Sequence, residues 1–466
     1  MKKLLISATI SSILLATGCT EQVSTMNKTA TTQTDSVKAE QTNPLFMASS
    51  LTYGAPQFDL IKDEHFIPAF EKGMEQHLQE VEKIASNPDA PTFDNTLLAL
   101  EKSGSLLART SRVFFNLVGT DSSPERREIQ KILAPKLAAH SDTINLNSAL
   151  FKRIETLYNQ RDELELDTES TRLLEEYYSD FVRAGAKLNE SDKQKIREIN
   201  EEHSTLTTQF SQNLLAESSE IAVVVNDVEQ LSGMSERQIK AASDASKAAD
   251  KEGKYLLSIT NTTRQPVLTS LENRALRQQV WEASAYRNQS GEYDNTKIIS
   301  RLAGLRAQKA ALLGFDSWAA YSLDKQMAGS PSAVYDMLGS MVPAVLKNVE
   351  KEAADIKAMI EAEGNNFELK PWDWAFYAEK VRQAKYELDE NEVKQYFEFN
   401  RVLEDGVFFT MNKLYGVRFK PRPDLPVYHP DVKAYELFDI NGDSLAIFYA
   451  DYFSRKGKRG GAWMSS

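Results

Sequence analysis

Long stretches of this chain carry apolar side chains three or four positions apart, and that spacing constrains its fold more than any other feature. Between Phe66 and Asn87 the apolar positions are Phe70, Met74, Leu78, Val81 and Ile84, which fall on one face of a helix. A second stripe, Ile196, Ile199, His203, Leu206, Phe210 and Leu214, predicts a helix over 191–217 with Ser191 as its N-cap. Ser330-Pro331 opens a third, running through Val334, Met337, Leu338, Met341 and Val345 toward Ala362. Thr92 begins a shorter candidate that ends near Gly104. Only 20 Gly and 15 Pro in 466 residues interrupt these patterns, which favours long helices over many short strands.

Strand signals are few. The runs 220–225 and 255–260 are short and rich in β-branched or aliphatic residues, with a polar helical stretch between them. Near the C-terminal end, 432–440 and 445–449 flank Asn441-Gly442, a hairpin turn signal. The expected fold is therefore mainly α: a large multi-helical body with a small hairpin or sheet near the C-terminal end. Hydrophobic residues make up 41% of the chain, enough for a sizeable core. A formal charge of -12 argues against a nucleic-acid partner, because neutralising phosphates needs a basic face.

The N-terminus reads as a secretory signal over residues 1–18. Lys2 and Lys3 precede the apolar run Leu4 to Ala16, which is too short to stay as a membrane span. Cys19, the sole cysteine, directly follows Leu15-Ala16-Thr17-Gly18, a run that resembles a bacterial lipobox. Acylation of Cys19 would hold the protein on a membrane, each buried methylene contributing about 0.8 kcal/mol. Thr20 after the cysteine favours the periplasmic face of the outer membrane in the cell envelope. Residues 20–44 are rich in Thr, Ser, Gln and Lys and lack aromatics, so residues 19–44 form a lipidated tether and the body occupies 45–466.

Catalytic spacing is not evident. The histidines are His65, His77, His140, His203 and His429, and no two lie four apart to present a pair to one metal ion. His203 on its apolar stripe and His77 beside Leu78 read as structural, and His65 belongs to a cap region. His429-Pro430-Asp431 places two ligand types on one side of an extended segment, but without a third ligand a strand-entry role is the better reading. There is no Gly-x-Ser-x-Gly, and the pairs Glu175-Glu176 and Glu201-Glu202 suit solvated helix faces. Gly457-Lys458-Arg459-Gly460-Gly461 lacks the frame of a phosphate loop and reads as a basic turn.

Several runs carry a resemblance. Gly54-Ala55-Pro56-Gln57-Phe58-Asp59, Pro91-Thr92-Phe93-Asp94-Asn95-Thr96, Glu272-Asn273-Arg274-Ala275-Leu276-Arg277 and Met327-Ala328-Gly329-Ser330-Pro331 fit one pattern. Pro371-Trp372-Asp373-Trp374-Ala375-Phe376-Tyr377 and the segment from Gly457 to Trp463 complete it. Together they make nearly everything from residue 45 onward similar to the M3 zinc oligopeptidases. That resemblance implies a two-lobed helical body with a deep channel for short peptides. It also implies a zinc ion held by a His-Glu-x-x-His helix and a later Glu, cleaving peptides and releasing C-terminal dipeptides. No position here matches the zinc or catalytic residues, so the expectation is a fragment, incomplete at its C-terminus and inactive alone. The run Ala462-Trp463-Met464 looks like an interrupted third strand. Gly460, Gly461, Ala462 and Trp463 are candidates to line a substrate cleft. The alternative is a lipid-anchored helical protein that binds peptides without catalysis.

Overall fold

A computed structural model describes residues 43–387 and 390–465. Cys19 and most of the expected tether lie outside the described residues. The N-terminal helices are α1 (Phe66–Ala85), α2 (Ser105–Thr120), α3 (Pro124–Asn145), α4 (Ser148–Asn159), α5 (Thr168–Ala184) and α6 (Glu190–Glu220). A two-stranded antiparallel ribbon follows, β1 (Ala222–Val225) with β2 (Tyr255–Ser258), enclosing α7 (Glu236–Ala248). Next come α8 (Arg264–Ser270), α9 (Arg274–Ala285), α10 (Thr296–Leu312), α11 (Trp318–Leu323), α12 (Pro331–Ala362), α13 (Pro371–Tyr386) and α14 (Phe409–Tyr415). Strands β3 (Arg418–Pro421), β4 (Lys433–Phe438) and β5 (Ser444–Ala450) close the chain as an antiparallel sheet in that order.

The expected helices form, and local chemistry explains their ends. Ser330 caps α12 by accepting from the Ala333 amide, with Pro331 at the first helical position. α6 begins earlier than its apolar stripe suggested, because Asn189 accepts from the Asp192 amide and takes the cap role expected of Ser191. Thr92 caps its segment in a reciprocal box with Asn95, but the chain continues as a π-turn over Phe93–Leu98 before a short α-turn. The buried face of α1 places Phe66 and Phe70 against Phe114 of α2, with ring centroids 4.9 and 5.4 Å apart. Each such buried side chain contributes about 1.5–3 kcal/mol.

Around the β1–β2 ribbon the organising element is a buried ion cluster. Asp373, in the first turn of α13, is fully buried and accepts from Arg274 Nη2 at 2.7 Å, Arg274 Nε at 2.9 Å and Arg277 Nη2 at 3.2 Å. Arg277 is itself buried and donates to the carbonyls of Leu271, Glu272 and Trp372, with its guanidinium 4.1 Å from the Phe376 ring. Burial pulls the Arg277 guanidinium down from its ordinary range while Asp373 opposes that shift. The cluster ties α9 to α13 across nearly a hundred residues of sequence.

Helix α12 behaves differently. Only Ile356 and Ile360, near its end, bury fully, against Phe376 and Tyr377 of α13. Tyr335, Met337, Leu338, Met341, Val342, Val345 and Leu346 are all exposed, Tyr335 by 74%. So long an apolar surface is far more than scattered single residues would present.

Candidate functional site

Strands β3–β5 and the segment after them carry the residues that the sequence offered as cleft-lining. β4 and β5 pair from Lys433↔Ala450 to Phe438↔Ser444, with an irregularity at Leu437/Phe438. The loop between them spans five residues, longer than the two-residue turn that Asn441-Gly442 advertises. Asp439 is the reason: its carboxylate accepts from the Gly442 and Asp443 amides at 2.8 Å each. Among the described residues β5 pairs only with β4, so its other edge is open apart from Tyr53, whose hydroxyl donates to the Ser444 carbonyl. The third strand is β3, upstream, and not the Ala462-Trp463-Met464 run, which is outside any strand. Four residues containing a proline gave β3 too weak a sequence signal.

Beyond β5 the chain forms a strap that returns to α2. Asp451 anchors it, accepting from Arg455 Nη1 at 2.7 Å and Nη2 at 2.8 Å, from Lys458 Nζ at 2.8 Å and from Tyr428 Oη at 2.8 Å. Burial alone would push the Asp451 carboxyl up, but Arg455, Lys458 and Tyr428 outweigh it and hold the group well below the usual carboxylate range. Burial, with Asp451 beside it, pushes the Tyr428 phenol up to about 12. Arg455 also donates to the Thr120 carbonyl at 2.7 Å, the Ser122 amide to Gly457 at 3.0 Å, and the Arg459 amide to Gly119 at 2.8 Å. Trp463 then lies beneath the Arg459 guanidinium, 4.8 Å from the ring centre, and is 37% exposed. Gly460 runs beside Asn261, just after β2, and Gly461 adopts φ +109°. Gly460, Gly461, Ala462 and Trp463 thus form one exposed run between α2 and the β1–β2 ribbon.

The histidines stay apart from that run. His429 accepts from the Asp431 amide at 3.2 Å in the turn before β4, which is the strand-entry role. His65 accepts from the Lys62 amide at 3.0 Å in a cap, and His203 meets Arg306 Nε at 3.4 Å. His77 and His140 do meet, with Nδ1 and Nε2 3.0 Å apart, a contact that residues 63 apart in sequence gave no sign of. Ser103 donates its only hydroxyl proton to the Leu100 carbonyl, so His77 Nε2 donates to Ser103 Oγ at 3.1 Å. Neutral His77 is then an acceptor at Nδ1, and His140 donates to it from Nε2. Among the described residues no three of His, Cys, Asp or Glu come together to hold a metal. A catalytic zinc therefore does not fit the donor groups of the described residues.

Burial, reinforced by His77, pulls His140 down to about 4 from its ordinary 6.5. The fold thus favours neutral His140. Its contribution is complete above about pH 6.5 and disappears as pH falls toward 4, on the order of 3 kcal/mol. His140→Gln, which keeps a donor near Nε2, should flatten the urea midpoint between those pH values; an unchanged slope would refute the assignment.

Residues 267–466 match the model of peptidase family M3. Across 425 residues, 91% of the chain, it is 44% identical to a dipeptidyl carboxypeptidase of Escherichia coli K12. It is 32% identical over 428 residues to oligopeptidase A of the same organism, and 27% identical over 444 residues to an organellar oligopeptidase A of Arabidopsis thaliana. Over residues 267–466 the chain thus resembles peptidase family M3. It spans 62% of the length of each E. coli relative and 55% of the plant one.

Within the matched region the strap has a precise steric requirement. A Cβ on Gly457 would lie 2.5 Å from the Ser122 carbonyl oxygen, at φ +81°. Gly457→Ala should cost on the order of 2 kcal/mol and loosen the strap, read as faster hydrogen exchange at the Arg459 amide. Gly461→Ala, with open space around it, should leave that amide protected. Equal exchange in both variants would show that the close approach is not what seats the strap.

Proposed function

We propose that this chain is the peptide-embracing part of a zinc metallopeptidase that removes dipeptides from the C-termini of short peptides. The observation that carries this reading is the 44% identity, sustained over 91% of the chain, to a dipeptidyl carboxypeptidase. The open edge of β5 supports it, since an extended peptide can add to such an edge through main-chain hydrogen bonds, with Gly460, Gly461, Ala462 and Trp463 beside it. The zinc ligands and the groups that activate water belong, on this reading, to polypeptide that the longer relatives carry and these 466 residues do not. The exposed apolar surface of α12 is where that polypeptide packs. Cys19 holds the assembly on the envelope membrane by its acyl chains, at the periplasmic face of the outer membrane.

A fusion of this chain to the part of the E. coli dipeptidyl carboxypeptidase that it does not cover tests the reading. Incubated with a short unblocked peptide, the fusion should release C-terminal dipeptides, and a chelator should stop it. A folded fusion that binds zinc yet releases no dipeptide would overturn the proposal.

A further inference from the structure

Helices α3, α5, α6, α10 and α11 converge on a cavity of about 380 Å3, separate from the sheet and strap. Its polar lining is arranged unusually. Asp142 of α3 is buried, and its Oδ1 accepts from Asn200 Nδ2 of α6 at 2.7 Å. The other end of that amide, Asn200 Oδ1, accepts from Lys309 Nζ of α10 at 2.6 Å. An amide therefore separates an anion from a cation that could have paired directly. Burial is the largest influence on both groups, pushing the Asp142 carboxyl up and the Lys309 ammonium down. Arg183, also in the lining, is engaged by Asp324 at 2.6 Å and by the Tyr321 carbonyl at 2.7 Å. Arg183 closes one wall, and among the described residues the Asp142 carboxylate and the Lys309 ammonium each have one hydrogen bond, to Asn200, which leaves capacity for more.

A buried ion pair built only for structure gains most from direct contact, and an apolar substitute often does as well. Separating the charges by an amide in the cavity lining gives up that gain. It does create a pair of opposite poles, spaced by one amide group, inside a pocket large enough for a small molecule. We infer that this cavity binds a small zwitterion, its ammonium against Asp142 and its carboxylate against Lys309: a free amino acid or a dipeptide with both termini unblocked. The side-chain geometry stands independently of the peptidase reading.

Isothermal titration of the 466-residue chain with glycine and with glycylglycine tests it. At least one should bind, and the preferred one reports the spacing that the poles accept. N-acetylglycylglycine and glycylglycinamide, each lacking one charge, should bind at least about tenfold more weakly. Asp142→Asn and Lys309→Met should abolish binding, whereas Gly461→Ala, in the exposed run beside the strap, should not; this separates the cavity from any peptide cleft. Ala184→Leu, which fills the cavity without touching either charge, should also abolish binding if the charge variants fail to fold. Absence of heat with both probes, equal binding of the blocked probes, or parental binding by folded Asp142→Asn or Ala184→Leu would each overturn the inference.

Discussion

The 466-residue chain by itself is expected to hydrolyse short peptides no faster than buffer. An assembled active site accelerates such reactions by roughly a millionfold or more, so the deficit relative to the fusion should be unmistakable. The expectation follows from donor geometry. His65 and His429 serve as acceptors for backbone amides, His77 and His140 meet one another, and His203 faces Arg306. Among the described residues none of these sits in a group of three that could hold a metal. Metal analysis of the purified chain, paired with a peptide-hydrolysis assay with and without chelator, provides the check. One tightly held zinc per chain with chelator-sensitive turnover would end the proposal that the zinc site lies elsewhere.

The second large effect belongs to Asp373. Asp373→Asn removes the negative charge while keeping the shape, leaving Arg277 buried and both Arg274 and Arg277 without a counter-charge. Breaking a buried pair in this way costs about 3–5 kcal/mol, because the remaining charge has been taken out of water. Urea unfolding should show the loss as a lowered midpoint, with the β1–β2 region and α13 releasing first in hydrogen exchange. The partly exposed pair of Arg301 and Glu202 offers the contrast: Glu202→Gln should cost less than about 1 kcal/mol. Similar losses in the two variants would mean that burial is not what gives the Asp373 cluster its weight.

Much of the helical framework was legible because helix signals are local. The Ser330-Pro331 start and the stripes of α1 and α6 are written within a few turns of chain, and each element formed where its stripe lay. Features that depend on distant partners were not legible. Asp373 read as part of a family-like motif, but nothing within reach of periodicity shows that its partners are Arg274 and Arg277. The His77–His140 contact and the seating of the strap on α2 have the same character. For the candidate site, the sequence supplied residues 460–463, and the structure adds their neighbours: Asn261 beside Gly460, Gly119 beside Trp463 and the Asp451 anchor. Asp451 carried no signal of its own, because a single acidic residue after a strand becomes an anchor only through the cations that later fold around it.

The strap also sets a clock for biosynthesis. Its hydrogen bond from Arg455 to Thr120 joins positions 335 residues apart. A ribosome adding about 5–20 residues per second needs roughly 20–70 s to deliver the second partner after the first. Throughout that interval the end of α2 waits on the nascent chain with its last carbonyls unclaimed by the segment that will cover them. The seating of residues 455–459 on α2 therefore comes long after the N-terminal helices are made.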